Sequence, residues 1–284
     1  MQKIAIATDS NSGISPQEAR RLGVALIPMP FYMEDTLYFE NLTCTQQEFF
    51  ARLKTGVRVS TSQPFPADLT QMWETLLQRA ETVVYIPMSS GLSGSCQAAC
   101  ALAAAEFPGR VFVVDDRRIS ITQRQAVLDA LTLAGRGLSA AEIARTLEAE
   151  ALNASIYISV STLTYLKKGG RITPAAAAVA TALNLKPVLQ IQGGKLDAFR
   201  KARGMAAACA AMCEAAQADL DTRFAGQPVT VHTAYSGDAA AGEAWRQQVQ
   251  ARWPQFDVVS CALPLSVACH IGDGALALAV IKTL

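Results

Sequence analysis

The chain is short of net charge, of histidine and of long apolar runs, and each shortage removes a class of function. Its 25 Lys and Arg face 24 Asp and Glu, for a formal net charge of +1. A surface balanced in this way has no electrostatic excess to attract nucleic acid or an anionic membrane surface. The most apolar uncharged stretch, residues 172–185, is 14 residues and richer in Ala than in Leu. A bilayer span needs roughly 20 apolar residues, so no membrane span is expected, and at most transient membrane contact. The N-terminal MQKIAIATDS reaches Asp9 without the apolar core of a secretion signal and reads as a first strand.

Cofactor motifs are missing as well. There is no Gly-x-x-x-x-Gly-Lys-Ser/Thr loop, and Gly91-Leu92-Ser93-Gly94 is not a Gly-x-Gly-x-x-Gly fingerprint. Nor is it a nucleophile elbow, because position 95 is Ser where Gly would be required. No cofactor is expected. The only histidines are His232 and His270, so a Ser-His hydrolase would have to use one of them. The seven cysteines are odd in number and lack a secretory context, which points to reduced thiols in a cytoplasmic protein. Cys96/Cys100 and Cys209/Cys213 share helix faces at i, i+4, but in Ala-rich segments where Cys packs as a small apolar residue, so no metal is expected.

What the chain does have is length and apolar residues. With 284 residues, 51% of them hydrophobic, it is long for one core and comfortable for two. Residues 3–8, 24–28, 82–86 and 111–114 are near-continuous apolar runs, as in strands buried on both faces. Helical stretches at 15–22, 45–53, 67–80 and 96–107 separate them. Strands alternating with helices imply a mainly parallel sheet. Residues 119–152 read as two helices broken at Gly135 and Gly137, with Ser139 and Glu142 at capping-box spacing. The expected fold is therefore α/β in two domains: residues 1–153 form an α/β/α domain with a mainly parallel sheet. Residues 154–284 form a second, two-layer α/β domain with a mixed sheet. That second part is read as a strand at 155–160, a helix at 174–184, a hairpin over 186–202 turning at Gly193-Gly194, a helix at 205–224, and strands at 229–233 and 257–261 around a helix at 239–252.

Against this apolar background stand two clusters of small hydroxyls on loops, Ser60-Thr61-Ser62-Gln63 and Ser89 to Ser95. The second lies between an apolar run and a helix, where unpaired N–H groups and the helix dipole favour an anion. A plain turn with an N-cap would use the same residues. His270 stands beside a Gly-containing turn, and Arg171 and Arg203 each follow basic residues. Such clusters serve either as solvated surface or as contacts for an anion or acidic partner.

Several segments together resemble the DegV family, whose members include the fatty-acid-binding subunits of bacterial fatty acid kinase. They are Thr8-Asp9-Ser10, Thr61-Ser62-Gln63-Pro64, Ser89-Ser90-Gly91-Leu92-Ser93-Gly94, Val113-Val114-Asp115, Leu163 to Ile172 (LTYLKKGGRI), Leu185-Lys186-Pro187, Arg203-Gly204 and His270-x-Gly-x-Gly-Ala. The resemblance implies a long-chain fatty acid buried between two domains. Thr61, Ser93 and the Gly94 N–H would hold its carboxylate, with Ser62 as a neighbour. Arg203 and His270 would lie on the phosphorylation side, and Arg171 on the surface that docks a separate fatty acid kinase subunit. That subunit transfers phosphate from ATP to give an acyl phosphate for phospholipid synthesis, so this chain would carry substrate and not catalyse. Departures from the family pattern include Asp273 in His-Ile-Gly-Asp-Gly and Ser95-Cys96 in place of Thr-Tyr.

The physics is compatible with such a ligand. Burial of about 16 carbons at roughly 0.8 kcal/mol per methylene gains on the order of 12 kcal/mol before ordering costs. The carboxylate needs charge-assisted hydrogen bonds on leaving water. Two other readings stay open on the residues alone: a serine hydrolase using Ser93 and His270, and a nucleotide or phosphometabolite binder suggested by the parallel sheet.

Overall fold

The computed structural model describes residues 2–178 and 185–284. In its first part, strands β1 (Gln2–Asp9), β2 (Ala25–Ile27), β3 (Pro30–Met33), β4 (Thr36–Phe39), β5 (Val59–Thr61), β6 (Ala80–Ile86) and β7 (Val111–Val113) are joined by helices α1 (Pro16–Leu22), α2 (Gln46–Lys54), α3 (Pro66–Leu77), α4 (Ser95–Glu106), α5 (Ile121–Gly135) and α6 (Ala140–Ala149). There follow β8 (Ala154–Ser159), α7 (Thr164–Gly169), α8 (Pro174–Ala177), β9 (Leu185–Ile191), β10 (Asp197–Arg203), α9 (Gly204–Asp221), β11 (Val229–Tyr235), α10 (Ala239–Arg252), β12 (Val259–Ala262), α11 (Leu265–Ile271) and β13 (Leu276–Lys282). The helix expected over 174–184 is present to Ala177, and its residues 179–184 lie outside the described residues.

The chain is an α/β protein. Strands in the order β2-β1-β6-β7 form an all-parallel sheet. Along β1, Ile4 and Ile6 pack with α5 and α6, while Ala5 and Ala7 pack with α3 and α4 around Trp73. Side chains alternate across a strand, so a strand covered on both faces has no polar side. That is why KIAIAT reads as one apolar run. A second sheet, β10-β9-β8-β13-β11-β12, is mixed, with only β11 and β12 parallel. One of its faces packs on α9 and α10 through Met212 and Trp245. The other carries Ile156, Ile158 and Ala277 toward Leu92, Ile119 and Ile121, which come from the loop ends of the parallel sheet. No helix among the described residues is long and apolar enough to cross a membrane.

Three features depart from the sequence reading. An antiparallel sheet, β4-β3-β5, stands beside the parallel one and was not expected. Its hairpin turns at Glu34, which takes φ 51°, where the usual sequence signal would be Gly or Asn. The helix expected over 67–80 ends at Leu77, and Ala80 already belongs to β6. Finally β13, between β8 and β11 in the mixed sheet, follows the Gly272–Gly274 turn as a segment with no assignment from the sequence.

Asp9, at the end of β1, organises the loops above the parallel sheet. One carboxylate oxygen accepts the Asn11 N–H and the Gln123 amide, each at 3.0 Å, and the other accepts the Met88 N–H at 2.9 Å. Complete burial pushes its pKa up to about 6, against the pull of these donors. The bond to Met88 anchors the start of the hydroxyl-rich loop that follows β6.

Candidate functional site

The loop from Ser89 to Ser95 is tied by its own serines. Ser89 Oγ accepts the Gly91 N–H at 3.1 Å, the Ser89 carbonyl accepts Leu92 and Ser93, and Ser93 Oγ accepts the Ser95 N–H at 3.2 Å. Among the described residues the N–H groups of Gly94, Cys96 and Gln97, at the start of α4, have no acceptor. These are the free donors that a helix N-terminus offers to an anion. At Gly91 the backbones of two segments meet: a Cβ there would come within 3.0 Å of the Gly193 carbonyl oxygen in the β9–β10 turn.

Thr61 ends β5, and its Oγ1 lies 2.9 Å from Nε2 of His270. His270 is in the last turn of α11, directly before the Gly272–Gly274 turn. Burial, and then the Arg171 guanidinium, push its pKa down to about 4. The imidazole is therefore neutral at neutral pH and shares one proton with the Thr61 hydroxyl. Its other edge lies against Gly169, where a Cβ would fall 2.1 Å from Nδ1. Gly169→Ala is expected to push the ring off Thr61 at an overpacking cost of about 1–3 kcal/mol. A lowered denaturant midpoint with an upward-shifted His270 titration would register it.

Thr61, Ser62, Ser93, Gly94, Arg171 and His270 all line one cavity of about 490 Å³, within the range of about 300–1,000 Å³ usual for small-ligand sites. Ser62, Gln63 and Gly94 are exposed and mark its open end, whereas Ile156, Ile158, Leu166, Ile191, Leu196 and Ala277 are buried and make its walls apolar. Gln63, named in the sequence only as part of its cluster and given no role there, also lines the cavity. Its amide approaches Gly94, where a Cβ would come within 2.8 Å of Nε2, and its place beside Thr61-Ser62 was the available signal.

The arginines differ in placement. Arg171 does not stand free: Nε donates to the Leu92 carbonyl at 3.1 Å, and Nη1 donates to the Gly169 carbonyl. Arg203 is exposed at the end of β10, opposite Leu185, and is not among the residues lining the cavity. Asp273, the additional carboxylate near His270, likewise does not line it and lies 3.4 Å from Lys54 Nζ. His270 therefore shares its cavity with no carboxylate from that residue.

These features define an α/β protein in which a mixed sheet and the loop ends of a parallel sheet enclose an apolar cavity with a hydroxyl-lined opening. The chain belongs to the DegV family, whose model, described as "Uncharacterised protein, DegV family", matches residues 3–283. A DegV domain-containing protein of Deinococcus radiodurans is 33% identical over 281 residues, covering 98% of each chain. Among solved structures, a DegV family protein from Thermus thermophilus, described as fatty-acid-binding, is 33% identical, with a TM-score of 0.89 over 99% of each chain. A stearic-acid-binding protein from Eubacterium ventriosum shares the fold at 22% identity, with a TM-score of 0.90 over 98% of each chain.

Proposed function

We propose that this chain is a cytoplasmic fatty-acid-binding carrier that presents the ligand carboxylate to a separate fatty acid kinase subunit. It divides at residues 153/154 into two domains with the acyl chain between them. Thr61, Ser93 and the Gly94 N–H hold the carboxylate, with Ser62 beside them. His270 and the exposed Arg203 flank the phosphoryl-transfer side, and Arg171 belongs to the docking side. The observation that carries this reading is that both hydroxyl loops meet in one cavity, at the open end of an otherwise apolar space. The apolar walls supply affinity, and the hydroxyl and N–H donors orient the headgroup without neutralising it. The T. thermophilus relative described as fatty-acid-binding supports the ligand class.

A hydrolase using Ser93 fits less well, because the His270 nitrogen that a serine would need is engaged by Thr61, and Ser93 Oγ accepts the Ser95 N–H. The test is mass spectrometry of small molecules released on denaturing the purified chain, with Ser93→Ala alongside. Long-chain fatty acid is expected, retained about tenfold more weakly in Ser93→Ala through loss of one charge-assisted donor. Recovery of no acyl chain, or ester turnover that disappears in Ser93→Ala, would reject the carrier.

A further inference from the structure

We propose that Glu40, outside the cavity, is the positioning residue that sets the Thr61–His270 pair by capping the start of the helix that carries His270. Helix α11 is seven residues long and begins after Pro264 with no side-chain cap of its own. A helix this short is marginal by itself and leaves its first N–H groups unpaired. Glu40 supplies the missing partner from 225 positions away: Oε2 accepts the Leu265 N–H at 2.8 Å. Its Oε1 accepts the Gln46 amide at 2.8 Å, and the same amide donates to the Leu263 carbonyl at 3.0 Å.

Glu40 and Gln46 belong to the lobe formed by β3, β4, α2 and β5, and Thr61 ends that lobe. Between the two polar ties the contact is apolar, with Phe31, Met33, Phe49 and Leu53 against Leu265 and Ala268. Apolar burial has little directional preference, so it holds α11 to the lobe without fixing the helix's rotation or axial position. The directional bonds at the helix start do that, and they carry His270, in the last turn, to its place 2.9 Å from Thr61. A carboxylate with two donors and, among the described residues, no ion-pair partner is a costly way to make a neutral contact. Burial accordingly raises its pKa. That cost is consistent with a role in register more than in stability.

Glu40→Ala is expected to raise the His270 pKa from about 4 toward its ordinary 6.5, read by NMR titration of the imidazole, and to speed fatty-acid release. His232, buried in β11 and also held near 4, should not move. Glu40→Gln keeps an acceptor for the Leu265 N–H and should leave His270 near its native value. An unchanged His270 titration in Glu40→Ala overturns the proposal, as does an equal shift of both histidines, which would mark general loosening. Should Glu40→Ala not fold, Gln46→Leu, which removes the tie to Leu263, gives the same two-histidine comparison. The release measurement rests on the fatty-acid reading, whereas the histidine titration needs no ligand, so each can fail separately.

Discussion

Ala277→Phe is expected to abolish fatty-acid retention while leaving the empty protein as stable as before or more so. Ala277 lies on β13 between β8 and β11, paired with Ile158 on one side and Ala234 on the other. Both alanines are buried and line the cavity. Two small side chains side by side in the middle of a sheet leave space where larger ones would pack, and that space is part of the cavity. A phenyl ring entering it would gain on the order of 1.5–3 kcal/mol from burial, offset by about 1–3 kcal/mol wherever the fit is tight. Most core substitutions that enlarge a side chain only destabilise, so a stable variant that holds no ligand is specific to a residue facing a void. The check is mass spectrometry of released small molecules together with thermal unfolding. Recovery of the same acyl chain in undiminished amount would mean that the ligand lies elsewhere.

Thr61→Val keeps the shape of the side chain and removes only the hydroxyl. Ligand binding is expected to weaken by about 10- to 100-fold, corresponding to the roughly 1–3 kcal/mol for a lost partner in a buried polar site. On the proposed reading two groups lose that partner: the ligand carboxylate, and His270 Nε2, which lies 2.9 Å from the hydroxyl. Thr61→Ser retains the oxygen and should bind nearly as well as the native chain. Titration with a fluorescent fatty acid measures both variants. Equal affinity of Thr61→Val and the native chain would remove Thr61 from the headgroup site.

Much of the fold is legible in the residues because the signals are local. The apolar runs of β1, β2, β6 and β7 mark strands covered on both faces, and Ser139 with Glu142 forms the capping box that its spacing announces. The β9–β10 hairpin turns at its Gly-Gly pair as composition suggests. The β3–β4 hairpin is not legible, because its turn uses Glu34 at positive φ with no Gly or Asn to mark it. Helix α11 escapes for another reason: seven residues show too little period to separate a helix from a strand or a loop. Its cap, Glu40, is local to nothing in its sequence neighbourhood.

The hydroxyl loops belong to the same division. Their composition and their positions beside strand ends identify them as candidate anion-holding loops from sequence alone. That both open on one cavity, that Thr61 meets His270 from 209 positions away, and that Asp273 pairs with Lys54 instead of facing the site depend on long-range packing. So does the contrast between Arg171, fastened to two carbonyls at the cavity, and Arg203, exposed at a sheet edge.

By itself the amino-acid sequence determined the alternation of strands and helices, the α/β class, the family, and which loops are rich in hydroxyls, because backbone propensity and side-chain period act over a few residues. Only the tertiary structure decided where the cavity lies, which side chains face it, and how His270 comes to be neutral and held by Thr61. Those properties arise from burial and from contacts between segments far apart in the chain, which no local pattern encodes.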